Sequence, residues 1–346
     1  MMNESLYLLA IESSCDETSA SVLHNDRVLS NIIATQKVHE KYGGVVPELA
    51  SRAHQQHIVP VVQQALTEAN VSAHELQAIA YTQGPGLMGA LLVGASFAKS
   101  MAMALNIPLV PVHHMRAHIM AHFIRSSSEQ RVPEFPFMCL TVSGGHTQLV
   151  LVQSPLDMQV VGETIDDAAG EALDKAAKVM GLPYPGGPHV DRLAKEGDAH
   201  KYTFTTPNIA GFNYSFSGLK TNLLYFLRDR QAADAGFIER EMNHICASYQ
   251  HVVTEYLLAK LEAAATHYNV RQVALAGGVS ANSALRSKLT LLCERRGWEA
   301  FIPPMGYCTD NAAMIGISGY YQFRLGHTGA WNDVPRASWP LEGSLR

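Results

Sequence analysis

The feature of this 346-residue sequence that most constrains its fold is an internal duplication. Residues 7–33 read as three short apolar strands, and a polar turn at 13–18 joins the first two. Residues 137–162 repeat this pattern, with the corresponding turn at 143–147. Short apolar runs bounded by Gly, Ser, Asn and Asp predict antiparallel strands joined by tight turns. The chain is therefore expected to contain the same three-strand meander twice.

The duplication continues downstream of each meander. A strand predicted at 77–81 runs into Gly84, Pro85 and Gly86 and then an apolar helix. A strand predicted at 270–276 likewise runs into a glycine-rich segment and another helix. Each helix is followed by a short strand that leads to a further helix start.

This order is typical of the actin, hexokinase and Hsp70 (ASKHA) superfamily, whose members hold a nucleotide between two lobes. We predict a duplicated α/β fold of this kind with an interlobe nucleotide cleft. The alternative is an ordinary α/β sheet whose strands resemble each other by chance.

A polar, proline-punctuated linker at 125–136 marks the expected lobe boundary. We predict an N-terminal lobe at 1–132, to which a C-terminal helix at about 310–328 is added. The predicted C-terminal lobe comprises 133–309 and contains an insertion at about 190–240. A tail follows at 329–346.

Composition excludes several classes of protein. The net charge is −5 with a pI near 6.3, and no basic stripe is visible, so partner proteins would contribute to any binding of nucleic acid. The five cysteines are scattered and predict reduced thiols. The apolar run at 89–105 is broken by Lys99 and predicts a buried helix, not a membrane span. With no signal-peptide pattern, the cytoplasm is expected.

The two polar turns at matching places in the repeat are candidates for phosphate contact. Adjacent glycines in Ser143-Gly144-Gly145 let the backbone approach an anion closely, although a hairpin turn that needs positive φ would use them too. In the first turn, Asp16 and Glu17 would orient a phosphate tail, hold metal-linked water or act as a base. A solvated turn with local hydrogen bonds is the other interpretation.

A candidate metal site begins at His114 and His118, four residues apart at a predicted helix start. Helix-surface histidines often share this spacing. Met115 stands where a zinc peptidase motif would need Glu, which disfavours a peptidase. Asp310 opens the matching helix of the second half and would supply an oxygen ligand in the cleft, unless Thr309 or Asp310 is simply the helix N-cap.

Residues 165–178 read as a helix whose acidic face includes Asp174. Glu171 with Lys175 and Asp174 with Lys178 could be plain i,i+4 ion pairs, which is the structural alternative to a binding role. The glycine-rich loop at 181–188 follows, so Asp174 could bond ribose hydroxyls near the base of that loop. Clusters at 42–52 and 214–221 could be rim loops of the cleft.

Taken together, these segments closely resemble the bacterial TsaD family of tRNA N6-adenosine threonylcarbamoyltransferases over nearly the whole chain. The motifs that carry the resemblance are IESSCDET at 11–18, YGGVVPELASR at 42–52, TQGPGL at 82–87, VSGGHT at 142–147, DDAAGE at 166–171, YPGGP at 184–188, SFSGLKT at 215–221, GGVSAN at 277–282 and CTDN at 308–311.

The resemblance implies that His114, His118 and Asp310 ligate one divalent metal ion, Fe²⁺ or Zn²⁺. It also implies an adenylate site for threonylcarbamoyl-AMP that would accept ATP, ADP or AMP as well. The implied adenylate-binding residues are Thr141, Val142, Ser143, Gly144, Gly145, Asp174, Gly187, Asp191 and Asn282. Arg116 and Ala117 replace the Glu-Gly usual in the family, but neither position is a ligand.

The implied reaction is metal-assisted transfer of threonylcarbamoyl to N6 of the adenosine 3′ of the anticodon in tRNAs reading ANN codons. Asp16 or Glu17 is a tentative catalytic base. Implied partners are tRNA, a TsaB-type paralogue bound through the first lobe, a TsaE-type ATPase and a TsaC-type synthase, with no membrane. The competing readings are an actin-like ATPase or small-molecule kinase, a metallopeptidase and a non-catalytic scaffold.

Overall fold

The computed structural model describes residues 5–127, 129–341 and 343–344. The first half of the chain forms the elements β1 (Tyr7–Glu12), β2 (Glu17–His24), β3 (Arg27–Thr35), α1 (Pro47–Ala69), β4 (Ala78–Gly84), α2 (Met88–Leu105), β5 (Leu109–His113) and α3 (His114–Met120). Short 3-10 turns at Lys37–Tyr42, Ala73–Glu75 and Ala121–Phe123 connect them.

The second half forms a longer series of elements. They are β6 (Phe137–Val142), β7 (Thr147–Ser154), β8 (Asp157–Glu163), α4 (Ala169–Val179), α5 (Gly186–Ala194), α6 (Ser217–Ala233), α7 (Phe237–His267), β9 (Gln272–Ala276), α8 (Ser283–Arg296), β10 (Glu299–Phe301), α9 (Ala312–Arg324) and β11 (Gly343–Ser344). The segment Gly278–Ala281 before α8 and the segment Met305–Tyr307 before α9 are 3-10 turns.

The chain divides into two compact units. The first comprises Met1–Pro133, Gln153–Met158 and Pro303–Arg346, and the second comprises Glu134–Val152 and Gln159–Ile302. The sequence-based boundary of the second lobe lay at 309, whereas the second unit ends at Ile302. The segment that leads into α9 therefore folds with the first unit.

Both units are built on the same sheet order, which confirms the duplicated α/β fold. The first sheet runs β3-β2-β1-β4-β5, and the second runs β8-β7-β6-β9-β10 with β11 added outside β8. In the first, β1 pairs antiparallel with β2 and parallel with β4. In the second, β6 pairs antiparallel with β7 and parallel with β9.

The hairpin between β2 and β3 shows why the predicted turn forms where it does. His24 pairs with Arg27, which leaves a two-residue connection. Asn25 adopts a left-handed conformation with φ of 55°. Asn tolerates this conformation better than other residues with side chains, and the twist of such turns matches that of the strands.

The apolar helix α2 lies against the first sheet and α1. At Gly94, an added Cβ would lie 2.2 Å from Oγ of Ser13, so glycine lets the helix approach the end of β1 closely. By length and composition α2 would also suit a membrane span, but so do core helices of soluble proteins. Its buried residues are Ala90, Leu91, Gly94, Ala95, Ala98 and Ala102.

The helix predicted from residue 165 begins only at Ala169, so that boundary was wrong. The carboxylate of Asp166 accepts hydrogen bonds from the Ser215 hydroxyl and the Phe216 amide, which holds the segment in a non-helical path. At the start of α4, the amides of Ala169 and Gly170 donate to the Thr147 hydroxyl and the Ser143 carbonyl. Tertiary partners thus replace the first helical turn.

Candidate metal centre and nucleotide-binding loops

Strand order brings the candidate metal ligands together within the first unit. Because β1, β4 and β5 run parallel, their carboxyl ends lie at one edge of the sheet. Glu12 ends β1, and α3 starts at His114 immediately after β5. The helix α9 packs on α3 and on β1, and Asp310 lies just before it.

Asp310 is not the N-cap of α9. That role belongs to Asn311, whose side chain accepts a hydrogen bond from the amide of Met314. The Asp310 carboxylate instead faces the two histidines of α3. His114, His118 and Asp310 all belong to the first unit.

Three ligand atoms converge in this cluster, which we call the metal cluster: His114, His118 and Asp310. Oδ1 of Asp310 lies 3.0 Å from Nε2 of His118 and 3.4 Å from Nε2 of His114. The ligand atoms all lie within 4.8 Å of one another. The His114 and His118 side chains are 10% and 1% exposed and that of Asp310 is 24% exposed, so the carboxylate is the most accessible part of the cluster.

Charge accumulates in this buried space. Burial alone would lower the pKa of His114, but the carboxylates of Asp310 and Glu12 raise it well above its usual value. Burial would raise the pKa of Asp310, but His114 and His118 hold it far below its usual range. Two carboxylates and two imidazoles packed this tightly require bound protons or a cation to balance them.

The donor set fits a divalent transition metal. Two imidazole nitrogens and one carboxylate oxygen suit Zn²⁺ or Fe²⁺, and three protein ligands leave positions free for substrate or water. The open carboxylate side of the metal cluster gives such a substrate access. Calcium and magnesium prefer all-oxygen sites, so they fit this donor set poorly.

Glu12 is a component of the site that the sequence analysis did not single out. Its fully buried carboxylate lies 3.0 Å from Nδ1 of His114 and accepts a hydrogen bond from the hydroxyl of Thr82. Two signals in the sequence could have found it: a charged residue at the end of the apolar run Tyr7–Glu12, and its place in the family motif IESSCDET.

The first polar turn lies beside the metal cluster. His54 fixes it, since its ring bonds the Thr18 hydroxyl and the Cys15 carbonyl. Burial, the charge of Asp310 and the neighbouring Asp16 raise the pKa of Glu17 to about 9. Glu17 is therefore protonated at neutral pH in the metal-free protein, which weakens it as a base in that state.

In the second unit, the turn at 143–147 presents an open glycine surface. The turn is closed by Ser143, whose amide donates to the His146 carbonyl and whose hydroxyl accepts from the His146 amide. Neither Gly144 nor Gly145 has a positive φ, and an added Cβ at either would meet no described atom within 4 Å. Neither a positive φ nor packing against described atoms therefore requires glycine at these two positions, and the surface of the turn is open.

In the loop that follows β9, by contrast, the backbone conformation requires glycine at position 277. Gly277 has a φ of 85°, and an added Cβ would lie 2.4 Å from the carbonyl oxygen of Val142. This close approach joins the end of β9 to the end of β6. The predicted binding residues Thr141 and Val142 are fully buried in β6 beside it.

The remaining predicted adenylate-binding residues also lie in the second unit. Oδ1 of Asp174 accepts from the amides of Gly186 and Gly187, at 2.8 and 3.0 Å, so this oxygen caps α5 and only the other is left for a ribose. Oδ1 of Asp191 accepts from the Ser283 hydroxyl. Asn282 is the N-cap of α8, and its side-chain amide donates to Gln250.

Two other predicted features have clear structural roles. Of the two predicted i,i+4 pairs, Glu171 with Lys175 is present at 2.7 Å, and Lys175 also bonds Asp167. Among the described residues Asp174 forms no ion pair with Lys178, because its Oδ1 accepts from the amides of Gly186 and Gly187. Arg116, the departure from the family pattern, is buried and donates to the Leu156 carbonyl. It therefore points away from the metal ligands and toward the β7–β8 turn.

A surface groove of about 620 Å³ lies between α1 and α2 in the first unit. Its apolar lining includes Val59, Leu66, Phe97 and Met101. Val59 is 57% exposed, and Leu92 and Met103 on α2 are also exposed. The lining also includes polar residues, which are Gln63, Thr67, Asn70, Ser72 and Glu75.

The repeated sheet order gives the chain a duplicated, actin-like (ASKHA) fold, and its first unit carries a candidate metal centre. The family model described as TsaD, tRNA N6-adenosine threonylcarbamoyltransferase, matches residues 27–317, and the chain belongs to this family. A curated relative with that name from Cytophaga hutchinsonii is 54% identical, and the match covers 99% of this chain and 98% of the relative. Another from Porphyromonas gingivalis is 56% identical, and the match covers 96% of this chain and 98% of the relative. The resemblance read from the motifs is confirmed, and the chain is a transferase.

Solved structures agree on the fold. HypF from T. kodakarensis superposes with a TM-score of 0.62 at 13% identity, covering 94% of this chain and 49% of HypF. A full-length HypF in a phosphate- and nucleotide-bound form superposes with a TM-score of 0.59 at 12% identity, and the match covers 92% of this chain and 46% of that HypF. Family membership does not favour the kinase, peptidase and scaffold alternatives.

The raised pKa of Glu17 predicts a specific pH dependence of stability. An unfolded Glu titrates near 4.5 and the folded Glu17 near 9, so between these values only the folded state binds the proton and stability falls as pH rises. Glu17→Gln cannot ionise, so from pH 5 to pH 8.5 it should gain roughly 1–4 kcal/mol relative to the wild type.

This gain can be measured by urea unfolding of chelator-treated protein at both pH values. The control is Glu48→Gln, at an exposed i,i+4 pair with Arg52, which should shift stability equally at the two pH values. A Glu17→Gln variant that behaves like this control would contradict the prediction.

Proposed function

We propose that the chain transfers the threonylcarbamoyl group from threonylcarbamoyl-AMP to N6 of the adenosine 3′ of the anticodon in tRNAs reading ANN codons. The observation that carries the proposal is the buried convergence of His114, His118 and Asp310. It occurs in a chain 54% identical over nearly its full length to a tRNA N6-adenosine threonylcarbamoyltransferase.

The proposed metal ligands are His114, His118 and Asp310, with Fe²⁺ or Zn²⁺ as the ion. Such an ion, when bound, supplies Lewis-acid stabilisation of negative charge that develops on phosphate and carbamoyl oxygens. The ligands leave one side of the metal cluster open, since Asp310 is 24% exposed. A substrate oxygen would reach the ion from this side.

The adenylate part is assigned to the second unit. The amides of Gly144 and Gly145 would face phosphate oxygens, because backbone N–H groups at an open glycine turn bind anions well. Thr141, Val142 and Ser143 would position this turn. Asp174, Gly187, Asp191 and Asn282 would line the nucleoside end, and ATP, ADP or AMP would fit the same residues.

The acceptor amine needs positioning more than activation. N6 of adenine is a weak nucleophile, so holding it in line with the carbonyl supplies much of the rate. Its base must be displayed in the single-stranded anticodon loop. Asp16 is the better of the two tentative bases, because Glu17 holds its own proton at neutral pH without a cation nearby.

The apolar groove between α1 and α2 is the proposed docking site for a TsaB-type paralogue. A partner is expected because the net charge of −5 leaves the chain alone poorly suited to grip tRNA. A TsaE-type ATPase would complete the complex and a TsaC-type synthase would supply threonylcarbamoyl-AMP. All of these would act in the cytoplasm.

The reaction can be tested with the purified chain, its partner proteins, threonylcarbamoyl-AMP and unmodified tRNA. Mass spectrometry of digested tRNA should show threonylcarbamoyladenosine, and Asp310→Ala should lower its rate of formation by at least about 100-fold because a direct metal ligand is lost. Asp229→Ala, at a surface pair with Arg228, is the matched control and should leave the rate unchanged. Absence of product with active partners would refute the reaction.

The glycine turn can be tested without disturbing the fold. Gly145→Val places a side chain in open space, so the melting temperature should stay within a degree or two while KM for threonylcarbamoyl-AMP rises by about tenfold or more. Steady-state kinetics and thermal unfolding measure the two effects. If KM stays unchanged, the turn at 143–147 is a structural hairpin and not an anion site.

The docking groove predicts a selective loss of partner binding. Val59→Glu puts a charge on the groove, so it should weaken association with the TsaB-type paralogue by about 100-fold or more. Leu291→Glu, at a similarly exposed position on α8, should bind normally. Isothermal titration or size-exclusion chromatography with light scattering gives the comparison, and equal affinities would exclude the groove as the interface.

A further inference from the structure

We infer that Glu12 is a positioning residue for the metal site: its carboxylate fixes the His114 ring so that Nε2 faces Asp310. The inference rests on the metal site proposed above and adds a residue that lies outside the ligand set. Glu12 belongs to β1, whereas the ligands belong to α3 and to the segment before α9.

The carboxylate of Glu12 is fully buried and fully engaged. Oε2 lies 3.0 Å from Nδ1 of His114 and accepts from the Thr82 hydroxyl at 2.7 Å. Oε1 accepts from the backbone amide of Ser14. A buried carboxylate with three donors is stable as an anion, so it acts as an acceptor toward the imidazole.

This hydrogen bond decides the tautomer of His114. A neutral imidazole has a proton on one ring nitrogen and a lone pair on the other. A hydrogen-bond acceptor beside one nitrogen keeps the proton on that nitrogen, so the lone pair is on the other. In the neutral ring that metal ligation would require, Nδ1–H donating to Glu12 leaves the lone pair on Nε2, the nitrogen that lies 3.4 Å from Oδ1 of Asp310. The Ser14 hydroxyl also reaches Nδ1, but at 3.3 Å, and it competes poorly with a carboxylate for the N–H.

The second histidine lacks this arrangement. Across residues 5–127, 129–341 and 343–344, Nδ1 of His118 is buried without a hydrogen-bond partner. Of the two ligand histidines in the described structure, only His114 therefore has a carboxylate at Nδ1. Partners of this kind raise the basicity of a ligating imidazole, and their removal typically costs 10–100-fold in metal affinity.

A purely structural role is the competing explanation, because Glu12 also links β1 to β4 through Thr82. Measuring metal affinity and stability on the same variants distinguishes a positioning role of Glu12 from a purely structural one. Thr82→Val removes one hydrogen bond from the same carboxylate but leaves the contact with His114. A structural role predicts similar effects for Glu12→Gln and Thr82→Val.

The affinity of the full-length chain for Zn²⁺ alone can be measured by competition with a chromophoric chelator, alongside the melting temperature of the metal-free protein. Glu12→Gln should raise the Kd for Zn²⁺ by about 10–100-fold, whereas Thr82→Val should change it by less than about threefold. An unchanged Kd in Glu12→Gln, or equal changes in both variants, would overturn the inference.

His114→Ala and Asp310→Ala separate failure of the inference from failure of the metal site. If neither ligand variant weakens Zn²⁺ binding, the proposed site itself is wrong. If both do and Glu12→Gln does not, only the role of Glu12 fails.

A measurement on the wild type covers the case in which Glu12→Gln does not fold. Long-range ¹H–¹⁵N correlation spectra of the Zn²⁺-loaded protein report the tautomer of each histidine. His114 should show a protonated Nδ1 and a metal-bound Nε2. The opposite tautomer would refute the role of Glu12 without any substitution.

Discussion

The parallel pairing of β1 with β4 and of β4 with β5 is the constraint on which the first unit depends. It sets three carboxyl ends of strands at one edge of the sheet, where Glu12, Thr82 and the start of α3 meet. A slip of one residue in β1 would turn Glu12 to the opposite face of the sheet, so register matters as much as strand order. Asp310 lies beside these residues because it directly precedes α9, which packs on the same sheet. Glycines make that approach possible, since an added Cβ at Gly319 would lie 2.5 Å from Cβ of Ala80.

The metal cluster so formed is a poor arrangement for stability by itself. Buried carboxylates and imidazoles lose their hydration, and the Asp310 carboxylate meets two ring nitrogens at 3.0 and 3.4 Å. Nearby, the buried carboxyl of Glu17 keeps its proton up to a pH of about 9. Sites that concentrate charge in this way are typical of functional centres, where a bound ion or substrate supplies the missing counter-charge. The proposed transfer reaction uses that property, since charge develops on the substrate beside the ion.

The second unit repeats the sheet order but carries different residues at the corresponding turn. Its first hairpin turn carries glycines with open space before them, where the first unit carries Asp16 and Glu17. The side chains at the predicted nucleoside end are hydrogen-bonded within the protein: Asp174 caps α5, Asp191 bonds Ser283 and Asn282 caps α8. Such internal bonding fixes the loops before a ligand binds, which reduces the ordering cost of binding.

Much of this protein was determined locally in the sequence. The strands of both meanders, the turn at Asn25 and the ion pair of Glu171 with Lys175 follow from periodicity and spacing, because backbone pairing and i,i+4 contacts depend on near neighbours. Motif order identified the family and thereby the ligand types. Spacing could not tell that Asn311, not Asp310, caps α9, or that Asp166 delays the start of α4.

Only the tertiary structure decided the role of Glu12, whose partners Thr82 and His114 lie 70 and 102 residues away. Contacts over such separations are set by crossover connections and strand register, which no local pattern of residues encodes.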